Sequence, residues 1–397
     1  MRQKPKASPA TSYFSMKTPF YFYDLTLLER TLSALARSAG RHDVAIHYAL
    51  KANNHPRILQ TVAAAGFGAD CVSGGEIEAA IEAGFPASDI FFAGVGKSDE
   101  EILLSLEARI GAFVVESVPE LLNIERLAGS KNDIAPILLR LNPEVDAHTH
   151  SHITTGLAEN KFGLLPEDAF ALMPHLLQSG SLVWRGLHFH IGSQIRSAKV
   201  FEELCEKTNR ILASFRTAGY SPDIIDMGGG LGINYDEPEA EPIPDFATYI
   251  ERYRRMIETG EARLHIEPGR SVVAQCGSLI TQVLYIKEGK AKKFAIVDAG
   301  MTDLVRPALY EAHHQIRLVQ PGEWTMRATS PSAALTEKYD VVGPICESSD
   351  VFERELLMPE LKRGDYLAIR SAGAYGAVMA SSYNMRPLPG SLFSDEQ

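Results

Sequence analysis

The chain has 397 residues, 45% of them hydrophobic, a formal net charge of -11 and a pI near 5.6. That length exceeds one ordinary core of roughly 250 to 300 residues and predicts two domains. The acidic balance argues against nucleic acid or an anionic membrane as the main partner and favours a small-molecule ligand, with a local basic pocket for a phosphate still open. Four cysteines, Cys71, Cys205, Cys276 and Cys346, stand apart without a CxxC pair, which predicts reduced thiols, a cytoplasmic setting and no structural zinc.

Residues 1–17 carry Arg2, Lys4, Lys6 and Lys17 with no acid, contain Pro5 and Pro9, and lack an apolar signal core. They read as a disordered tail or a short organelle-targeting segment. No run of about 18 apolar residues follows anywhere, which excludes a spanning helix by length. After Thr18-Pro19 comes FYFYD, a strand-like aromatic run, then a helical pattern through Leu25, Leu28, Leu32 and Leu35 to Gly40. Strand-like segments recur at 44–51, 68–73, 90–94, 111–116, 135–141, 185–191, 224–228 and 263–267, with helical patterns filling most of the gaps. Strands alternating with helices in this way predict a (β/α)8 TIM-like barrel over residues 25–270. Beyond Arg270 the runs SLITQVLYIKEG, KKFAIVDAG, YDVVGPIC and DYLAIRSAGAYG alternate between Gly, Pro and Asp boundaries, and predict an all-β domain over 271–397. FYFYD has no place in the barrel, so residues 18–24 are assigned to the β domain.

In such a barrel the catalytic groups stand at the carboxyl ends of the strands. Lys51 in HYALKAN follows an apolar run at one such end, where an amine could form a Schiff base; a snorkelling surface lysine is the plain alternative. His190-Ile-Gly-Ser193 ends the sixth strand, where an imidazole could lie against a flat ring and a hydroxyl could bond a phosphate. A satisfied core histidine is the alternative there. Asp226-Met-Gly-Gly-Gly-Leu-Gly232 ends the seventh, where consecutive glycines would let backbone N–H groups approach a phosphate. Glu267-Pro-Gly-Arg270 ends the eighth and sets an acid and a cation three residues apart, or is simply a surface turn. Metal binding by His188 with His190, or by His148, His150 and His152, is a further option; the last three lack a nearby carboxylate, and no metal is expected.

Taken together, YALKAN, CVSGGE, TTGLAENKFG, HFHIGSQI, DMGGGLG, IEPGR, DAGMTDLVRPALY, GPICESSD and GAYG resemble the diaminopimelate decarboxylases of the alanine-racemase-like, type III pyridoxal-phosphate fold, over about residues 18–390. The resemblance implies pyridoxal 5'-phosphate as cofactor, decarboxylation of meso-diaminopimelate to L-lysine as the last step of lysine biosynthesis, and a homodimer with shared active sites. Position by position, it implies that Lys51 is the Schiff-base lysine and that His190 stacks on the cofactor ring. It makes Ser193, Gly229 and Gly230 the phosphate cradle and Glu267 the partner of the pyridine nitrogen. Arg270, Arg306 and Tyr310 match groups that bind substrate carboxylate, Arg270 alternatively lying near the phosphate. Cys346 and Glu347 match the pair entering from the second subunit, as proton donor and as partner of the distal ammonium, and Tyr375 matches a cofactor-contacting tyrosine. Two departures stand out: SSD in place of Ser-Gly-Asp after Glu347, and SSYN in place of Ser-Asn-Tyr-Asn. They place the detail of the distal pocket in doubt. The alternatives within the fold are a decarboxylase of a basic amino acid or carboxylated polyamine, which Arg306 disfavours, and a racemase, which would need a base where Cys346 stands. An inactive regulatory homologue would lack Lys51 or Cys346, and both are present.

Overall fold

The computed structural model describes residues 16–145, 161–325 and 337–396. His148, His150 and His152, most of TTGLAENKFG, and residues 1–15 of the predicted tail lie outside the described residues. Two compact units emerge. One comprises Leu28–Asn234 and Glu241–Ala274; the other comprises the described residues up to Leu27, Tyr235–Ala240, and those from Gln275 onward.

The chain begins with β1 (Phe20–Tyr23) and α1 (Leu25–His42), and then alternates. β2 (Val44–Ala49), β3 (Gly68–Cys71), β4 (Ile90–Phe92), β5 (Ala112–Val115), β6 (Ala135–Leu141), β7 (Leu182–Phe189), β8 (Ile224–Asp226) and β9 (Arg263–Ile266) close into a parallel barrel. Closure runs through β2 and β9, with Val44, Ala45 and Ile46 paired to Leu264, His265 and Ile266. The intervening helices are α2 (Pro56–Ala64), α3 (Gly74–Ala83), α4 (Asp99–Ala108), α5 (Val118–Ser130), α6 (Pro166–Gln178), α7 (Ala198–Thr217) and α8 (Phe246–Met256). A parallel strand covered on both faces has no solvent side, which is why AFVV of β5 is buried at all four positions. Helix starts follow local chemistry: Ser73, Ser98 and Ser117 each accept the N–H of a glutamate three residues on. Gly186 in β7 has a tertiary cause, because a Cβ there would stand 1.9 Å from the Ile224 carbonyl oxygen of β8.

The eight predicted strands are all present, but several end one or two residues earlier than expected. Lys51 therefore lies not in β2 but on a single 3-10 turn, Leu50–Ala52. Glu267 lies just past β9, where Pro268 offers no N–H to continue a ladder. β7 also begins three residues before the expected 185, since Leu182 and Val183 pair with Ala135 and Pro136 of β6.

The other unit is built on a sheet. After α9 (Arg270–Val273) come β10 (Gly277–Glu288), β11 (Lys293–Val297), α10 (Arg306–Tyr310), β12 (Ile316–Val319), β13 (Glu337–Val342), β14 (Val351–Met358), β15 (Tyr366–Ile369) and β16 (Gly390–Phe393). The strand order is β12-β15-β10-β11-β13-β14. The expected early strand joins it: β1 runs antiparallel to β10, with Phe20 opposite Ile280, and parallel to β16. Phe20 and Phe22 pack with Ile280, Val319, Trp324 and Ala368, so both the position and the aromatic content of FYFY are explained by this core. One excursion was not anticipated: Tyr235–Ala240, inside the predicted barrel range, belongs to the sheet unit. Local polar contacts hold it there, with Arg317 paired to Glu239 at 3.1 Å and the Gln315 amide donating to the Asp236 carbonyl at 3.1 Å.

Candidate active site

The carboxyl ends of β2, β3, β7, β8 and β9 bring one set of polar groups together. Lys51, whose side chain is 34% exposed, extends from its turn so that Nζ lies 2.6 Å from Asp70 Oδ2. Asp70 is wholly buried on β3, and its Oδ1 has no hydrogen-bond partner among the described residues. Burial pushes the Asp70 carboxyl above its ordinary range and the nearby Glu267 charge adds to this, while Lys51 pulls it back. The amine thus faces an acid that can share its proton.

Glu267, just past β9, is buried and has its Oε2 3.1 Å from His188 Nε2 of β7. Burial alone would raise its pKa. The contact with His188 first, and then the Lys51 ammonium, outweigh that and hold it below the usual carboxylate range, so Glu267 is an anion. Its Oε1 is buried without a partner among the described residues. Asp226, ending β8, accepts the Gly228 N–H at 2.8 Å, yet burial and then the Glu267 charge raise its pKa well above the ordinary carboxylate value. Atoms of His188, Asp226 and Glu267 lie within 4.8 Å of one another, the one such triad of metal-ligating type among the described residues.

His190 follows β7. Burial, then the charges of Arg140 and Lys51, lower its pKa well below the ordinary imidazole value. Its Nδ1 accepts the Gly229 N–H at 3.2 Å, which leaves the proton of the neutral ring on Nε2. Gly229 sits so close beneath that a Cβ would meet the Glu267 carbonyl oxygen at 2.4 Å. The segment after His190 is stitched to the glycine loop by Gln194, whose amide donates to the Ile233 carbonyl at 2.8 Å and accepts the Ile233 N–H at 3.1 Å. Ser193 Oγ accepts from Arg270 Nε and Nη2 at 3.2 and 3.1 Å, and Gly230, where a Cβ would meet the Gly192 carbonyl oxygen at 3.2 Å, packs against the same segment, while the Gly228 and Gly229 N–H groups are given to Asp226 and His190. A hydroxyl beside a guanidinium suits a phosphate. The unpartnered carboxylate oxygen of Glu267 suits a ring N–H, and Lys51 suits a carbonyl carbon. The barrel residues therefore fit a pyridoxal phosphate.

The remaining predicted residues lie in the sheet unit. Arg306 opens α10 and Tyr310 ends it, one turn apart on the same face. Arg306 is buried; its Nη1 donates to Tyr235 Oη at 2.9 Å and to His314 Nε2 at 2.8 Å. Since His314 Nδ1 faces the Arg370 carbonyl at 2.8 Å and must donate to it, the lone pair is on Nε2, facing the arginine. Tyr375 holds a left-handed backbone at φ 56°, a conformation that costs energy for a non-glycine residue. Cys346 and Glu347 are exposed on the loop between β13 and β14, which folds around Asp350: its Oδ2 accepts the Ile345 N–H and its Oδ1 the Met301 N–H. The other three cysteines are buried.

Sequence reasoning missed Asp70, Asp226, His314, Gln194 and Tyr235 as members of these networks, and treated His188 only as a metal ligand. A signal existed for two of them. An acid in an apolar strand, as in GADC and IID, has to be paired or neutralised.

Comparison with known proteins agrees with this geometry. The pyridoxal binding domain model of the pyridoxal-dependent decarboxylases matches residues 25–274. The diaminopimelate decarboxylase of Bacteroides thetaiotaomicron is 49% identical over 390 residues, covering 98% of both chains. That of Zymomonas mobilis is 42% identical over 374 residues, 94% of this chain and 86% of its own. The crystal structure of diaminopimelate decarboxylase from Helicobacter pylori complexed with L-lysine superposes with a TM-score of 0.88 at 41% identity, covering 96% of this chain and 92% of that one. With identity at this level spread over nearly the whole length, the chain belongs to the diaminopimelate decarboxylases, within the pyridoxal-dependent decarboxylase family.

Proposed function

We propose that this protein decarboxylates meso-diaminopimelate to L-lysine with pyridoxal 5'-phosphate. The observation that carries the reading is the buried Glu267 carboxylate, anchored by His188 through one oxygen and unpartnered among the described residues at the other, in the same cluster as a lysine at a strand end. When bound, the cofactor supplies an electron sink for the charge left as carbon dioxide departs. The protein's own groups do the rest. Glu267, held anionic, keeps a ring nitrogen protonated; Lys51 supplies the amine that ties the cofactor, with Asp70 beside it to take or return a proton. Neutral His190 offers a flat face without adding positive charge. Ser193, Gly229, Gly230 and Arg270 hold the phosphate, and Tyr375 contacts the cofactor.

Arg306 and Tyr310 take the distal carboxylate of the substrate and Glu347 its distal ammonium, each charge met by an opposite partner. Cys346 returns the proton. We further infer a homodimer in which Cys346 and Glu347 serve the active site of the second subunit. Support comes from the PICES motif and from exposed apolar side chains just after Asn384, the residue that accepts the Cys346 N–H: Met385 at 97% and Leu388 at 62% exposure, which a monomer would leave in water. No helix among the described residues is long and apolar enough to cross a membrane.

Two measurements test the reading. Carbon dioxide release from meso-diaminopimelate should exceed that from lysine or ornithine by roughly tenfold to several hundredfold in kcat/KM, because lysine leaves the distal arginine unmet. Borohydride reduction of the loaded protein should label Lys51. Equal turnover of lysine, or a label on another residue, refutes the assignment.

A further inference from the structure

Two adjacent residues of the sheet unit contact two adjacent residues of the proposed chemistry. Tyr383 Oη donates to Glu347 Oε1 at 2.9 Å, and the Cys346 N–H donates to Asn384 Oδ1 at 3.2 Å. These partners are 36 and 38 residues apart in sequence. We propose that Tyr383 and Asn384 form a staple that fixes the distal ammonium acceptor and the proton-donating thiol in one register, and so act as positioning residues for substrate selection and for proton return. The inference rests on the roles given above to Glu347 and Cys346.

The physical case is the exposure of the pair being held. Cys346, Glu347, Ser348 and Ser349 are all exposed, so the segment has little buried surface to fix it beyond the Asp350 anchor at its end. A glutamate on such a loop samples several rotamers, and a single hydroxyl donor selects one of them. The hydrogen bond to Glu347 in turn raises the Tyr383 phenol above its ordinary value, so it stays a donor throughout the working range. Asn384 is suited to its part by its backbone, which lies in the left-handed region at φ 55° where asparagine is among the tolerated residues. The tyrosine arm acts on binding, the asparagine arm on the thiol. The two therefore separate kinetically.

The test is a double-mutant cycle with Tyr383→Phe, Glu347→Gln and the combination, assayed on meso-diaminopimelate. Tyr383→Phe should raise KM roughly three- to tenfold with kcat within about twofold, and should add nothing in the Glu347→Gln background. If Glu347→Gln raises KM while Tyr383→Phe does not, or if the two effects add, the staple is overturned and the role of Glu347 stands. If Glu347→Gln itself leaves KM unchanged, that role fails and the staple falls with it. The asparagine arm is read without turnover: Asn384→Gly, which keeps the backbone conformation, should raise the rate of Cys346 alkylation by iodoacetamide roughly threefold, measured by peptide mass mapping. An unchanged rate overturns that arm.

Discussion

At the scale of single residues, the barrel cluster is an arrangement for keeping one carboxylate charged among groups that burial would otherwise neutralise. Asp70 and Asp226 are pushed up, His190 is pushed down, and Glu267 alone is held as an anion, by His188 first. Glu267→Gln should keep the cofactor bound through the phosphate corner yet lower kcat on the order of a hundredfold, the scale of losing one preorganised electrostatic partner. Retention of near wild-type kcat, with the cofactor absorbance intact, would show that the ring nitrogen is not met there. Arg306 is fixed by acceptors on two sides, Tyr235 and His314, so its head is oriented rather than mobile. Arg306→Met should reduce kcat/KM for diaminopimelate by one to two orders of magnitude, roughly the cost of an unmet buried charge, and barely alter the poor lysine reaction. A uniform loss on both substrates would count against its selecting role.

At the scale of elements, strand approach and strand-end chemistry make the clearest demands. Gly186 permits β7 to lie against β8, and Gly186→Ala would drive a methyl into the Ile224 carbonyl. The backbone has to move, so this variant should lose at least about 3 kcal/mol of stability and accumulate as insoluble protein. At the other end of β2 and β9, His47 Nδ1 faces the Asp89 carbonyl at 3.0 Å and His47 Nε2 lies 2.8 Å from His265 Nδ1, with the rings stacked on Phe91. Burial lowers His47 to about 4, and burial followed by the His47 charge lowers His265 to about 2. Because both folded values lie below the unfolded value of about 6.5, the unfolded chain takes up protons first as the pH drops. The part of the stability that depends on these rings is whole above about pH 6.5 and is lost below it, down to about pH 4 for His47 and about pH 2 for His265, at up to about 1.4 kcal/mol per pH unit for each ring. His265→Asn keeps a donor for His47 and removes one titration, so urea unfolding between pH 6.5 and 4.5 should show a shallower slope. An unchanged slope would place the acid sensitivity elsewhere.

At the scale of the whole molecule, the barrel holds the proposed cofactor groups other than Tyr375, and the sheet unit holds Tyr375, Cys346 and the proposed groups for the distal end of the substrate. Mixing Lys51→Ala with Cys346→Ala subunits should restore up to about a quarter of wild-type activity, the statistical share of intact sites if each site draws one residue from each subunit. No recovery, with exchange of subunits demonstrated, would remove the shared site from the model of function.

The sequence by itself determined the alternation of strand and helix, because a parallel strand needs an unbroken apolar run and a helix a 3.6-residue stripe, and both patterns are local. It also determined the type of residue at each strand end, which is why Lys51, His190, the glycine loop and Glu267 can be named as candidates without coordinates. FYFYD was placed in the sheet unit by elimination from the barrel count. Tertiary structure decided what burial does to charge. Nothing local says that Asp70 and Asp226 are driven up while Glu267 is driven down, since the balance depends on His188 and Lys51 arriving from other strands. It likewise decided that Tyr235–Ala240 leaves the barrel range for the sheet unit, and that Tyr383 and Asn384 meet Glu347 and Cys346. A contact between residues dozens of positions apart has no period in the sequence to announce it.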